Sequence, residues 1–232
     1  MKAAANNGSE VDLRVRPLLD AGMDLALAGI PVLPCHWPME ADPASDGWTR
    51  LACSCGRPEC TAPARHVIGG MTISDATTDP VLVAQWWTGG LHDANVATIA
   101  GGAFGVVELR YSARPAEIRA WLAAAQVTPG PVLDAGIGRA QFLTAVGAPE
   151  PRFAPLGSTG GIRRLSHGAM VLLPPSRLTD RHQVTWLQGP HGTALPDPDQ
   201  LFGALARLPV DPLDLAAWGA GSRGRGVGDR RR

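Results

Sequence analysis

Residues 95–110 read NVATIAGGAFGVVELR, and this stretch decides the expected class of fold. Two apolar segments, NVATIAG and FGVVELR, are joined through Gly101 and Gly102. Short apolar runs separated by glycines are typical of neighbouring strands, so the pattern predicts that the two segments pair with each other. No helical pattern lies between them, which favours an antiparallel arrangement.

The remaining chain alternates between strand-like and helix-like patterns. Five further strands are predicted at IPVLPC, PVLDAG, AQFLTAVG, AMVLLPP and QVTWLQG. Four helices are predicted at PLLDAGMDLALAGI, DPVLVAQWW, PAEIRAWLAAAQ and DPDQLFGALARL. Several strands follow one another without an intervening helix, so we expect an α+β fold with a mainly antiparallel sheet flanked by helices.

Two of the helices carry readable start signals and apolar stripes. In the first, Pro17 suits the first turn, and the inward stripe is expected to comprise Leu18, Ala21, Leu25 and Ala28. In the second, Thr78 or Asp79 is expected to cap the helix, with Pro80 at its first position.

Length and composition indicate one sizeable domain. The chain has 232 residues, 45% of them hydrophobic, which suffices for a core. We expect a disordered N-terminus at 1–16, a domain at 17–210 with a cysteine-rich insertion at 35–71, and a C-terminal segment at 211–232 with a basic, disordered tail. No signal peptide or membrane span is visible, and a cytoplasmic location is expected.

The formal net charge is zero, but the charge is unevenly distributed. Residues 222–232 hold five arginines and one aspartate, so the rest of the chain is mildly acidic. Proteins that bind nucleic acid through bulk charge usually present a basic surface, and the overall composition predicts none outside the tail.

Residues 51–66, LACSCGRPECTAPARH, contain a set of candidate metal ligands. Three thiolates and one imidazole suit tetrahedral zinc, and such a closed set is structural rather than catalytic. The one-residue gap between the first two cysteines is tight, so Cys35 or His36 is an alternative ligand. The competing interpretation is a loop of unpaired cysteines without metal. The predicted zinc ligands are Cys53, Cys55, Cys60 and His66.

Taken in order, these segments resemble a known protein family. The sequence resembles the primase–polymerase domain of the archaeo-eukaryotic primase superfamily over residues 18–210, and is most similar to short actinobacterial-type bifunctional DNA primase/polymerases. The resemblance rests on LALAGIPVLP, the insertion ending in His66, DATTDPVLVAQWW, NVATIAG, FGVVELR, GRAQFL, GAMVLLPPSRL and QVTWLQG.

The resemblance implies a two-metal nucleotidyltransferase site at which this sequence departs from the family pattern. Such a site needs two carboxylates on one strand, a histidine on a neighbouring strand and a third carboxylate, with Mg²⁺ or Mn²⁺ bound between them. Glu108 matches the first acidic position and is the candidate catalytic residue, whereas Arg110 occupies the second. Gln141 falls at the histidine position and Arg163 near the third acidic position, so all three are assigned instead to nucleotide or anion binding.

Three functions are consistent with these residues. The preferred one is a degenerate primase–polymerase domain that binds nucleic acid or a nucleotide. The second is an active, template-dependent primase/polymerase that uses Glu108 with a shifted carboxylate such as Asp134. The third is a protein-interaction module without nucleic-acid binding. No GxxxxGK[ST] loop is present, so a helicase, or another replication, plasmid or phage protein, would be a separate partner.

Overall fold

The computed structural model describes residues 16–39, 52–110, 120, 122–124, 126–136, 138–147, 161–165, 167–179 and 182–207. Residues 1–15 and 211–232 of the segments predicted at the termini, and Ile118, Trp121 and Ala125 of the predicted third helix, lie outside these residues. Arg16, predicted as disordered, is instead the first residue of a helix. The described elements are α1 (Arg16–Leu27), β1 (Leu33–Cys35), β2 (Pro38–Met39), β3 (Ala52–Cys53), a 3-10 helix (Ile73–Asp75), α2 (Pro80–Thr88), β4 (Asn95–Ile99), β5 (Gly105–Arg110), β6 (Val132–Asp134), β7 (Arg139–Thr144), β8 (Ile162–Arg164), β9 (Met170–Leu172), β10 (Thr185–Gln188) and α3 (Pro198–Leu205).

The strands form three sheets, in the orders β1-β4-β9, β10-β6-β7-β5-β8 and β2-β3. Every strand pairing among the described residues is antiparallel. The predicted α+β class with antiparallel sheet is therefore confirmed. None of the described helices has the length and apolarity that a membrane span requires.

The prediction that the two segments of residues 95–110 pair with each other is wrong. β4 pairs with β1 and β9, whereas β5 pairs with β7 and β8, so the two strands belong to different sheets. Both edges of β4 are already occupied. The chain turns at Gly101, whose N–H donates to the Phe104 carbonyl at 2.8 Å, and then enters the second sheet. The glycines therefore make a crossing between sheets rather than a hairpin.

The first two helices pack together as their patterns predict. Leu18 and Leu25 of α1 are buried, as predicted. Ala28 follows the end of the helix and is exposed, so the predicted inward stripe wrongly includes it. Gly22 allows close approach, because a Cβ there would lie 3.2 Å from Val83 of α2. Asp79 caps α2 by accepting from the Val81 N–H, as predicted.

The two faces of the five-stranded sheet are covered by two apolar clusters. Val107 and Leu109 of β5 face a cluster that includes α3, whereas Val106 faces the larger cluster beside β4 and β9. Side chains alternate between faces along a strand, so Glu108 and Arg110 share the face of Val106. That face is apolar at Val106 and becomes polar towards Arg110, which positions the candidate site.

We expect Gly101→Ala to destabilise the fold by about 2 kcal/mol or more. Gly101 has a φ of +96°, and an added Cβ would lie 2.8 Å from the Cα of His167. Gly102→Ala is the matched control, because a Cβ at Gly102 meets nothing within 4 Å. Urea denaturation measures both free energies of unfolding. Equal effects of the two substitutions would contradict the role assigned to Gly101.

Candidate functional site

The four predicted metal ligands come together beside the short β2-β3 sheet. Their ligand atoms all lie within 4.8 Å of one another. The Sγ atoms of Cys53 and Cys60 lie 3.3 and 3.4 Å from Nε2 of His66. In tetrahedral zinc with bonds of about 2.3 Å to sulfur and 2.0–2.1 Å to nitrogen, neighbouring ligand atoms are separated by roughly 3.5–3.8 Å. The group Cys53, Cys55, Cys60 and His66 can therefore hold a metal ion such as zinc.

The two alternative ligands lie outside this group. Cys35 is buried, and its thiol contacts the Ala64 carbonyl at 3.8 Å. Burial, reinforced by the nearby Cys53, raises the pKa of Cys35 far above the ordinary thiol value, which disfavours the thiolate that a metal requires. His36 instead shares a hydrogen bond of 2.8 Å with Ser54, and its ring packs 4.3 Å from that of His66. The one-residue gap between the first cysteines thus needs no substitute ligand.

A fully buried asparagine, Asn95, joins the loop that carries the cysteine–histidine group, residues 52–71, to the body of the protein. Asn95 Nδ2 donates to the carbonyls of His36 and Ala64, both at 3.3 Å, and to that of Arg177 at 2.7 Å. Its Oδ1 accepts from the Arg177 N–H at 2.8 Å. Three segments that are distant in sequence therefore meet at one amide group.

The segment that follows β9 is fixed to β4 at the neighbouring position. Ser176 is buried, and its hydroxyl accepts from the Val96 N–H and donates to the Val96 carbonyl, each at 2.8 Å. The predicted end of the strand at Pro174 and Pro175 is confirmed, because β9 ends at Leu172 and both prolines lie in a turn. Both backbone polar groups of Val96 therefore hold this segment beside β4.

Glu108 lies on β5 between Gln141 of β7 and Arg163 of β8, which are its partners in strand register. Gln141 Nε2 donates to Oε2 of Glu108 at 2.9 Å. Nε and Nη2 of Arg163 contact Oε1 at 2.8 and 2.7 Å. Only 1% of the Glu108 side chain is exposed. Three predicted site residues are thus brought together, and both carboxylate oxygens are engaged by neighbouring side chains.

Arg110 stands at the end of β5, on the same face as Glu108, and is exposed. Its partner in register is Arg139 of β7. Two guanidinium groups therefore lie on neighbouring strands beside Glu108, where the family pattern places a second carboxylate. This arrangement repels divalent cations and attracts anions.

Asp134 does not face the same side of the sheet as Glu108. Its Oδ1 accepts from the Gly136 N–H at 3.0 Å and caps the turn between β6 and β7. Gln141 pairs with Leu133, so the next residue along β6 points to the opposite face. In the part of the chain that the structure describes, the only group of at least three His, Cys, Asp or Glu residues that could share a metal ion is the cysteine-histidine group.

A cleft adjoins this charged group, with a volume of about 350 Å³ that includes its solvent-filled opening. Its polar side chains are Arg65, Arg139 and Gln141. Burial, together with the like charge of Arg139, lowers the pKa of Arg65, while Glu108 acts in the opposite direction. Arginine nevertheless remains charged at neutral pH. The apolar side of the cleft consists of Ala135, Met170, Leu172, Leu178 and Val184.

Sequence reasoning missed Arg65 and Arg139. A signal for Arg139 was present, because it directly precedes the predicted strand AQFLTAVG and lies two residues before Gln141, so continued extension of the backbone places both side chains on one face. Arg65 carried no such signal, because it belongs to a loop without periodicity whose path depends on the neighbouring ligands. In the sequence, the position of Arg65 beside His66 associates it with the metal group, but nothing associates it with the cleft.

The fold agrees with a comparison to known protein families. The family described as bifunctional DNA primase/polymerase, N-terminal, matches residues 23–209, which is most of the chain. The chain therefore belongs to the primase–polymerase domain family, as the resemblance indicated. A comparison with curated proteins finds no match.

We expect the purified chain to hold about one equivalent of metal, because all four ligand atoms are already grouped. Cys60→Ser should lose most of that metal. Cys35→Ala is the matched control and should retain it, since Cys35 lies outside the group. Elemental analysis of folded protein prepared without chelators measures both. Metal loss from Cys35→Ala would make Cys35 a ligand and contradict the assignment.

Proposed function

We propose that this chain is a primase–polymerase-family domain that binds a nucleotide or a nucleic-acid phosphate and does not catalyse two-metal nucleotidyl transfer. The observation that carries the proposal is the engagement of Glu108 by Gln141 and Arg163. A domain with this arrangement retains the family framework but presents cationic and amide groups at three of the four positions that such catalysis uses.

The state of Glu108 argues against metal binding at this strand. A divalent ion would have to displace Arg163 or Gln141 from a carboxylate that is almost completely buried. Removing one partner from a buried ion pair typically costs about 3–5 kcal/mol, although partial exposure of Arg163 reduces that figure here. One carboxylate also supplies too few oxygen ligands for two Mg²⁺ or Mn²⁺ ions. Glu108 then acts as the anchor of Arg163 rather than as a catalytic ligand.

The charges around the cleft support an anionic ligand. Arg65, Arg110 and Arg139 surround a region in which Glu108 is paired with Arg163. Arginine presents a planar set of donors that matches phosphate oxygens. The mildly acidic composition of the folded part does not oppose this, because the positive charge is concentrated in one cleft. Gln141 adds an uncharged donor, which can contact a phosphate or a base.

The metal site has a structural role in this proposal. We assign zinc to it, because three cysteines and one histidine give a closed tetrahedral set that leaves no position for substrate water. The ion would hold the loop of residues 52–71 against the end of β4. We place the ligand, a nucleotide or DNA, at the cleft, and a helicase or another replication protein would be a separate chain.

An incorporation assay tests the loss of catalysis. Primed and unprimed templates are incubated with all nucleotides and with Mg²⁺ or Mn²⁺. We expect no incorporation by the zinc-loaded chain, by Glu108→Ala or by the control Glu59→Ala, whose parent side chain is exposed in the loop. Incorporation that is lost in Glu108→Ala and kept in Glu59→Ala would identify an active polymerase and overturn the proposal.

Binding without catalysis separates the remaining alternatives. We expect single-stranded DNA or nucleotides to bind chains that lack residues 219–232, because the cleft lies in the folded part. If all binding disappears with these residues, the folded domain does not recognise phosphates. That result would favour a protein-interaction module.

A further inference from the structure

Arg65 lies between two residues that are tied to the metal group. The N–H of the preceding residue, Ala64, donates to Sγ of Cys53 at 3.4 Å. The following residue, His66, is itself a ligand. The N–H of Arg65 donates to the Ala62 carbonyl at 3.1 Å. The backbone on both sides of Arg65 is therefore fixed by contacts with ligand residues.

The conformation of Ala64 shows how closely this segment follows the metal group. Ala64 is completely buried and has a φ of +59°, a left-handed conformation that costs an alanine free energy. Its carbonyl accepts from Asn95 Nδ2 and contacts the Cys35 thiol. Such a conformation persists only where the surroundings determine it, and here they are the ligand Cys53 and the amide of Asn95.

The side chain of Arg65 does not belong to the metal group but lines the cleft. It shares the cleft with Arg139 and Gln141 of β7. Arg139 is held by a strand that is paired on both sides, whereas Arg65 is held by a loop. Two like charges repel each other, and the loop is the element that can yield. The contacts of residues 64–66 therefore hold Arg65 beside Arg139 against this repulsion, together with the attraction of Glu108.

We propose that the metal-binding loop holds Arg65 in the cleft, so that the binding of a phosphate-bearing ligand between Arg65 and Arg139 depends on the bound metal. This inference rests on the proposed function and adds a condition to it. The cysteine–histidine group would hold the metal, and the ligand would contact Arg65 and Arg139 rather than the metal. The effect of the metal on ligand binding would pass through Arg65, because residues 64–66 contact the metal group and also supply the guanidinium group that lines the cleft.

The cleft also indicates the shape of the ligand. Besides the arginines, the cleft is lined by the apolar side chains of Met170 and Leu172 of β9 and of Leu178 and Val184. A phosphate group attached to a flat or apolar body would satisfy both sides, whereas a free divalent cation would satisfy neither. A nucleoside phosphate is the ligand class that combines these features.

Pyrophosphate is the probe for the phosphate part of this site. Isothermal titration calorimetry is performed on the full-length, zinc-loaded chain without Mg²⁺ or Mn²⁺. We expect Arg65→Ala to weaken binding at least tenfold while retaining its zinc. Arg57→Ala, which removes an exposed arginine from the same loop, should change binding less than twofold. Cys60→Ser should weaken binding as much as Arg65→Ala, and the double variant should be no weaker than either single variant.

A reciprocal measurement avoids variants that lose the metal. If zinc favours anion binding, then the anion must favour zinc retention by the same factor. We expect saturating pyrophosphate to raise the concentration of a colorimetric chelator that removes half of the zinc at equilibrium from the parent chain, relative to Arg65→Ala. An equal effect of pyrophosphate on both chains would overturn the metal dependence, even if Cys60→Ser does not fold.

The outcomes distinguish this inference from the proposed function. Absence of pyrophosphate binding by the parent chain would contradict phosphate recognition by the cleft, and thus both proposals. Pyrophosphate binding that is weakened in Arg65→Ala but unchanged in folded, metal-free Cys60→Ser would support phosphate recognition by the cleft and contradict its dependence on metal. Pyrophosphate binding that is unchanged in Arg65→Ala would show that Arg65 is not part of the site and would overturn this inference. It would not contradict anion binding by the other residues of the cleft.

Discussion

The buried amide of Asn95 is the constraint on which the arrangement of the site depends. Its side chain contacts the carbonyls of His36, Ala64 and Arg177, and it accepts the Arg177 N–H. Each buried polar group left without its partner costs about 1–3 kcal/mol, so the three segments are strongly favoured to stay together. Asn95 thereby fixes the segment before Arg65, and the segment that contributes Leu178 to the cleft, to the same end of β4.

The family framework shows how similar strands can support different chemistry. On β5, alternation directs Glu108 and Arg110 to one face, where a two-metal site would require a pair of carboxylates. The strands of the family framework are retained, whereas the charges of the side chains on them differ from the family pattern. Arg163 neutralises Glu108 from the adjacent strand, and Arg110 faces Arg139 in register. Under the proposed function, this surface offers cations to an anion instead of carboxylates to Mg²⁺.

Local patterns predicted the elements but not the way in which the sheets divide. The cap at Asp79 and the strand that contains Gln141 follow from short-range chemistry. The separation of β4 from β5 does not, because strand pairing depends on which edges are occupied by remote segments. The cysteine spacing was sufficient to predict which four side chains form the group that could hold a metal ion. Arg65 could not be assigned to the cleft, since its direction results from loop contacts that have no sequence period.

The central claim is that this cleft receives a phosphate-bearing anion and that Glu108 holds no catalytic metal. Crystals of the zinc-loaded chain, soaked with Mn²⁺ and a deoxynucleoside triphosphate, test it directly through anomalous diffraction. The account predicts a zinc signal at Cys53, Cys55, Cys60 and His66, phosphate density between Arg65 and Arg139, and no manganese bound to Glu108. Manganese bridging Glu108 and the triphosphate, with Arg163 displaced, would contradict it.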